Sequence, residues 1–139
     1  MQPVAVFDTN VLLSALGWRG NPYQCLELAR AGKVAGVTCR EILDELDEKL
    51  RARLGYTPVQ ATEAVVGVLV FMRVVRIAGK LKVVACDADD DKVIECAVVG
   101  GASHVVTGDR RHLIPLGTYQ GIAIVTPADF LALVQRQER

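Results

Sequence analysis

The sequence predicts an α/β protein: a three-layer α/β/α sandwich with a mostly parallel central sheet. Short apolar runs that suit buried strands alternate with longer stretches that suit helices, and this order is typical of parallel sheets. Hydrophobic residues make up 51% of the chain but aromatic residues only 5%, which indicates an aliphatic core covered on both faces. The length of 139 residues, without repeats or linkers, predicts a single domain over 1–139.

The first half of the chain is expected to alternate two strands with helices. Thr9 and Asn10 can cap the first helical turn, and Asn21 is a candidate N-cap for the next helix. Thr38 followed by Glu41 matches a capping box for the third helix. In order, these predictions give a strand at 3–7, a helical turn at 11–16, a helix at 23–31, a strand at 34–38 and a helix ending before Gly55.

The second half is expected to continue the alternation. Its first helix, over 61–72, is apolar nearly throughout, which predicts burial on most sides or contact with a partner subunit. Asp91 is expected to open the next helix, and Thr126 to cap the last one. The remaining predictions are extended pieces at 74–78 and 82–85, strands at 104–107 and 122–125, and a short turn or helix at 110–116.

Charge and cysteine usage restrict the functional classes. Lysine plus arginine equals aspartate plus glutamate, 16 each, so no basic excess marks a nucleic-acid binder, and a polyanion would need a local patch or bound metal. No CxxC pair or zinc spacing exists. No basic leader or long apolar span is present, so a soluble, cytoplasmic protein is expected. The cysteines are expected to be buried free thiols: Cys25, Cys39, Cys86 and Cys96.

Four carboxylates mark the predicted site. Asp8 and Asp109 each follow an apolar strand, and ligands bind outside the carboxyl ends of strands in such sheets. Asp91 ends the acidic run at 87–91, and Glu45 lies in the third helix. Acids brought together without bases repel each other unless a hard cation such as Mg²⁺ or Mn²⁺ lies between them.

Each carboxylate also has an ordinary structural interpretation. Asp8 could be an N-cap, and acids at a helix N-terminus compensate the helix dipole, by about 0.3–1 kcal/mol each when exposed. Asp91 is the acid nearest the helix proper, three residues before Ile94, which is expected to face the sheet. Periodicity does not choose between Glu45 and Asp47, since both lie at margins of the apolar stripe.

These motifs resemble the PIN-domain family, and in particular its VapC-type toxin components of toxin–antitoxin pairs. The matching segments cover nearly the whole chain in the family's order: VFDTNVLLSAL, REILDELDEKL, DADDDKVIECAVVGGASHVVTGD and TPADFLALV. The resemblance implies a PIN-like fold and selects Glu45 over Asp47. It assigns catalytic, metal-binding roles to four acids and supporting roles to two polar residues: Asp8, Glu45, Asp91 and Asp109, with Asn10 and Thr107.

The resemblance implies Mg²⁺- or Mn²⁺-dependent hydrolysis of RNA phosphodiesters, with water as the attacking nucleophile. His112 stands where many members have a further acid, which leaves one metal ion or two open. Lys92, Arg110 and Arg111 are candidate phosphate contacts, although solvated charge is the more common role for such residues. The resemblance also implies a cognate antitoxin and a homodimer, and it leaves the choice among transfer, ribosomal and messenger RNA open.

The sequence can also be compared with three other functional classes. A Mg²⁺-dependent phosphatase of the haloacid-dehalogenase type expects a second acid two residues after the first, and Asn10 stands there instead. A receiver domain would carry its acids after the first strand. A catalytically weak PIN-like module for RNA or protein binding is the main alternative. Trp18 and Arg19, in the loop GWRGNPY, could stack on an unpaired base, although a lone loop tryptophan is more often a packing residue.

Overall fold

The computed structural model describes residues 2–83 and 88–138. Its strands are β1 (Val4–Phe7), β2 (Ala35–Cys39), β3 (Met72–Val75), β4 (His104–Val106), β5 (Thr118–Tyr119) and β6 (Ile122–Val125). Its helices are α1 (Thr9–Gly17), α2 (Asn21–Arg30), α3 (Arg40–Leu54), α4 (Pro58–Leu69), α5 (Ala88–Val99) and α6 (Pro127–Gln137), with a short 3₁₀ turn at Ile114–Leu116.

The strands of the described residues form a single sheet in the order β3-β2-β1-β4-β6-β5. Every pair is parallel except β5 with β6. Helix α5 packs against β1, β2 and β4, while α1 packs on α2 and α3, and α2 packs on α6. The predicted α/β sandwich with a mostly parallel sheet is therefore confirmed.

The core between these layers is mainly aliphatic, as the composition indicates. Phe7 and Phe130 form its aromatic contact, with ring centroids 6.3 Å apart in an edge-to-face arrangement. Both side chains are almost completely buried. This contact joins the end of β1, directly before Asp8, to α6, so the strand that carries the first candidate acid is firmly packed.

Two predicted boundaries are wrong around α4. The helix ends at Leu69 rather than residue 72, and the following strand is Met72–Val75 rather than 74–78. An apolar run does not show where a helix gives way to a buried strand, because periodicity does not distinguish the two. The expected piece at 82–85 is not a strand at Lys82 or Val83, and its other two residues lie outside the described ones.

Of the two alternatives for this apolar segment, burial on most sides within the chain is wrong, whereas contact with a partner subunit stays a prediction. In α4, only Ala61 and Val68 are buried. Val66 and Val70 are exposed, Val70 to 81%. Val74 on the adjacent edge strand β3 is exposed as well. The chain thus leaves an apolar surface on α4 and β3 facing outward.

Helix caps show where short sequence signals succeed. Thr57 and Gln60 form a complete capping box at α4, with bonds of 2.9 and 3.1 Å, and Thr126 caps α6 as predicted. The predicted box at Thr38 is wrong, because β2 continues through Cys39 in register with Val75. Among the described residues, the buried Thr38 hydroxyl has no hydrogen-bond partner.

The predicted start of α2 shifts by one residue. Gly20 is the N-cap instead of Asn21, and no side chain caps this helix. Cys25, Cys39 and Cys96 are buried free thiols as predicted, and Cys86 lies outside the described residues. None of the helices in the described ranges is long and apolar enough to cross a membrane.

Glu95 on α5 anchors the segment that precedes the helix. Its carboxylate accepts backbone N–H bonds from Ala78, Gly79 and Leu81 at 2.8, 2.9 and 3.1 Å. Burial acts to raise the pKa of Glu95, but these N–H groups outweigh it and hold the pKa below its ordinary value. Glu95 therefore folds residues 78–81 back onto α5.

We expect Glu95→Gln to lower the free energy of unfolding by about 1–2 kcal/mol, because it removes the charge from these hydrogen bonds. The lowered pKa means that the stabilisation is present above the unfolded pKa of about 4.3 and is lost as pH falls through the folded pKa. Urea unfolding of both proteins at several pH values measures this. A difference that does not shrink in acid would contradict it.

Candidate metal centre

The site begins where β1 and β4 end side by side. The strands are parallel with Phe7 opposite Val106, and the Asp8 amide donates to the Val106 carbonyl at 2.9 Å. Asp8 and Asp109 thus emerge at the same edge of the sheet, as strand-end acids do in such folds. The Asp8 side chain makes no capping hydrogen bond to α1, so the N-cap interpretation does not occupy its carboxylate.

Thr107 links these two acids from beneath. Its hydroxyl donates to Asp8 Oδ2 at 2.7 Å and accepts from the Asp109 amide at 3.0 Å. Thr107 is completely buried, so this bridge is fixed by the core. The structure therefore places Thr107 in contact with both acids.

A third acid and a histidine join Asp109 above the sheet edge. Ligand atoms of Asp90, Asp109 and His112 all lie within 4.8 Å of one another. His112 Nδ1 is 3.3 Å from Asp90 Oδ2 and 3.8 Å from Asp109 Oδ2. Asp109 Oδ1 is held separately by the backbone amides of Arg111 and His112 at 2.9 and 3.2 Å.

The structure does not bring Asp91 to this cluster. Asp91 Oδ1 accepts a hydrogen bond from the Val83 amide at 2.8 Å, and the residue lines a small separate pocket with Glu95. Adjacent helix positions point about 100° apart, so only one of Asp90 and Asp91 can face the sheet edge. Asp90 occupies the position expected for Asp91. Asp87 lies outside the described residues.

Glu45 on α3 lines the same cavity, and each of its carboxylate oxygens lies near a lysine ammonium group. Lys92 Nζ lies 3.1 Å from Oε1, and Lys49 Nζ lies 3.8 Å from Oε2. Lys49 also donates to Asn10 Oδ1 at 3.0 Å. Asp47, the alternative that periodicity left open, instead pairs with Arg51 at 3.1 Å.

The candidate phosphate contacts occupy different environments. Lys92 contacts Glu45 and, at 3.6 Å, Asp89. Arg110 and Arg111 are exposed beside Asp109. The side chains of these two arginines are exposed to solvent, whereas Lys92 is already engaged by carboxylates.

These acids line one open cavity of about 400 Å³. Its walls come from α1, α3, α5 and the loop after β4. Its acidic and basic side chains are those of Asp8, Glu45, Lys49, Asp89, Asp90, Asp109 and His112.

The electrostatics differ between the two strand-end acids. Burial raises the pKa of Asp8 despite the Thr107 hydrogen bond, and the neighbouring Glu45 charge adds to the effect. Burial also acts to raise the pKa of Asp109, but the amides of Arg111 and His112 outweigh it, so that pKa is lowered. A bound cation would stabilise the ionised form of Asp8, since a nearby opposite charge favours ionisation of a carboxyl group.

Glu45 is ionised more readily than a free glutamate. Burial acts to raise its pKa, but the Thr9 hydroxyl and the Lys92 ammonium group more than offset this. Lys49 acts in the same direction. The structure therefore pairs this acid with cations supplied by the protein.

The donor set fits a divalent metal ion. Carboxylate oxygens of Asp8, Asp90 and Asp109 are hard ligands that suit Mg²⁺ and Mn²⁺. The imidazole of His112 is a softer donor beside them and favours Mn²⁺ of the two. The raised pKa of buried Asp8 gives a further reason for a cation to bind.

Two residues of this cluster escaped the sequence analysis, although signals for both were present. Asp90 precedes Val93 and Ile94 by three and four residues, and both are fully buried, so helical spacing places Asp90 on the inner face of α5. Asp91 shares its face with Glu95 instead. Lys49 follows Glu45 by four residues, the spacing of a helical ion pair.

Comparison with known proteins identifies the fold independently. The family model described as a PIN domain matches residues 4–111. A VapBC2 structure from Rickettsia felis, bound to a promoter DNA fragment, contains a chain with a TM-score of 0.62 at 14% identity, covering 88% of this chain and 98% of its own. PAE2754 from Pyrobaculum aerophilum gives 0.59 at 18% identity, covering 99% and 100%. No curated protein sequence matches significantly.

Proposed function

The chain belongs to the PIN-domain family, and we propose that it is a divalent-metal-dependent ribonuclease that hydrolyses RNA phosphodiester bonds. The observation that carries this proposal is the convergence of Asp8, Asp90 and Asp109 in one cavity at the sheet edge. A cavity of carboxylates repels a phosphate unless a metal ion is bound there. The acids are thus suited to hold Mg²⁺ or Mn²⁺ rather than the substrate itself.

Asp8, Asp90 and Asp109 would hold the metal ion, with His112 beside them. Bound there, the ion would lower the pKa of water and stabilise charge developing on the phosphoryl oxygens. Thr107 keeps the two strand-end carboxylates in place through its hydroxyl. Asn10, Lys49 and Glu45 form the opposite wall.

Cleavage of an unstructured RNA tests the proposal. Wild type is expected to cut RNA with Mn²⁺ or Mg²⁺ and to stop when a chelator is added. Asp109→Asn keeps an acceptor for the Arg111 and His112 amides, so a folded variant should lose about 10³-fold in rate. If wild type neither cuts RNA nor binds Mn²⁺, a non-catalytic RNA- or protein-binding module replaces the ribonuclease.

Trp18 offers a contact for an unpaired base beside the cavity. It is 61% exposed in the loop between α1 and α2, and the Arg19 guanidinium lies 5.4 Å from the centre of the Tyr23 ring. Ser14 and Pro22, on either side of this loop, line the cavity. Base stacking on an aromatic side chain contributes about 1–3 kcal/mol.

We therefore expect Trp18→Ala to weaken binding of single-stranded RNA by about tenfold, and Trp18→Phe to retain most of it. Because the chain contains a single tryptophan, RNA binding should also quench the fluorescence of wild type directly. All titrations use proteins that also carry Asp109→Asn, so that the RNA stays intact. If the proteins with Trp18, Trp18→Ala and Trp18→Phe bind RNA equally and the Trp18 fluorescence does not change, Trp18 does not contact the substrate.

We also propose that this protein is the toxin of a toxin–antitoxin pair and forms a homodimer. The Rickettsia neighbour is a VapBC complex, which supports an antitoxin partner. The exposed apolar side chains of Val66, Val70 and Val74 on α4 and β3 support the dimer, since such patches commonly mark protein interfaces.

We expect light scattering to give twice the mass of the chain for wild type, and the monomer mass for Val66→Lys combined with Val70→Lys. Charges on this surface should prevent its burial between subunits. The double variant should retain its helical circular dichroism, since both side chains are exposed. A monomeric wild type would contradict the dimer.

A further inference from the structure

We propose that the Lys49 ammonium group is a fixed cation of the site, and this inference rests on the proposed ribonuclease function. The ammonium group takes the place of a second metal ion beside Glu45 and Asn10, contacts the RNA phosphodiester, and leaves room for one divalent ion per chain.

The position of the Lys49 ammonium group is the first argument for this proposal. Its ammonium nitrogen is 3.0 Å from Asn10 Oδ1 and 3.8 Å from Glu45 Oε2. The side chain is only 20% exposed, and it lines the same cavity as Asp8 and Asp109. Because these contacts already hold the ammonium group in the cavity, contact with a phosphate there costs little further side-chain entropy.

The two walls of the cavity differ in charge, and this difference is the second argument. One wall groups Asp90, Asp109 and His112, with ligand atoms within 4.8 Å of one another. On the other wall, both oxygens of Glu45 already face lysine ammonium groups. A divalent ion on Glu45 would meet these two positive charges at short range, so the first wall is the favoured metal position.

Lys92 provides a natural comparison. It contacts Glu45 more closely than Lys49 does, at 3.1 Å, but it also pairs with Asp89. It does not line the cavity that contains Asp8 and Asp109. Lys92 lines an adjoining pocket with Glu45, Lys49 and Asp89, so of the two lysines it is Lys49 that lies in the cavity with the strand-end acids.

Lys49→Met tests the proposal, because methionine keeps much of the length and removes the charge. Mn²⁺ binding without RNA is measured by calorimetry and electron paramagnetic resonance. Wild type should bind one ion, and Lys49→Met should bind Mn²⁺ more tightly or bind a second ion. RNA cleavage by Lys49→Met at saturating Mn²⁺ should nevertheless fall roughly 10- to 100-fold. Tighter metal binding with slower cleavage is not expected from mere loss of packing.

Three further variants complete the test, with thermal melting to verify that each is folded. Lys92→Met should also bind Mn²⁺ more tightly, and the control Lys33→Met, whose lysine pairs with Glu138, should bind Mn²⁺ and cleave RNA as wild type does. Lys49→Arg should recover much of the cleavage that Lys49→Met loses. Two Mn²⁺ ions per wild-type chain, or full cleavage by Lys49→Met, would overturn the proposal while leaving a metal-dependent ribonuclease intact. A wild type without bound Mn²⁺ would overturn both.

Discussion

Asp90→Asn is expected to abolish metal-dependent RNA cleavage, with a loss of about 10³-fold, whereas Asp91→Asn should cleave RNA at nearly the wild-type rate. Asp90 lies with Asp109 and His112 in the cavity, but Asp91 holds the Val83 amide on another face of α5. The two substitutions are chemically identical and one residue apart. The difference between their cleavage rates therefore shows which of the two side chains α5 turns toward the cavity.

The stability of these variants should show the opposite order. Asp91→Asn weakens a charge-assisted hydrogen bond and should lower the free energy of unfolding by about 1–2 kcal/mol. Asp90→Asn removes one of the neighbouring acid charges and keeps an oxygen that can face His112 Nδ1, so it should change the stability of the metal-free protein less than Asp91→Asn does. Initial cleavage rates and urea midpoints of the three proteins measure both effects. Loss of cleavage in Asp91→Asn, with cleavage retained in Asp90→Asn, would reverse the assignment.

Asp8→Asn is expected to separate function from stability. It should reduce metal-dependent cleavage by about 10³-fold and yet raise the stability of the metal-free protein by about 1 kcal/mol. Burial raises the pKa of Asp8, with a further contribution from the charge of Glu45, so the ionised carboxylate costs folding free energy. Asparagine keeps an oxygen that can accept the Thr107 hydroxyl.

The sign of the pH dependence follows from the raised pKa. The cost of ionised Asp8 is fully present above the folded pKa and disappears as pH falls toward the unfolded value of about 3.9. The stability gain of Asp8→Asn should therefore be largest near neutral pH and shrink in acid. Saturating Mn²⁺, at about 100 times its Kd, should stabilise wild type by about 2.7 kcal/mol but not the variant. A metal-free Asp8→Asn less stable than wild type would contradict this explanation.

The strand-end acids could be predicted from the sequence because their positions depend on short-range features. An apolar run that ends in a carboxylate is sufficient to place Asp8 and Asp109 at one sheet edge, given parallel strands. Local cap chemistry likewise identified Thr126. It failed at Thr38, because β2 continues past the expected cap to Cys39, which pairs with Val75 of β3.

The acids on helices were harder to predict than the strand-end acids, because an error of one residue along the helix turns the predicted side chain away from the site. The prediction that Asp91 opens α5 is wrong, since the helix begins at Ala88, and the structure places Asp90 rather than Asp91 in the cavity. Glu45 and Asp47 are equivalent by periodicity, and only the packing of α3 turns Glu45 toward the cavity. Lys49 is a site residue only because α1 brings Asn10 next to α3.

Anomalous diffraction from crystals grown with Mn²⁺ locates the metal ion directly. We expect a peak within about 2.0–2.4 Å of carboxylate oxygens of Asp90 and Asp109, with Lys49 still bonded to Asn10. A peak at Asp91 and Glu95 would contradict the assignment of the site. The absence of any peak at saturating Mn²⁺ would contradict the proposal that this acid cluster is a metal centre.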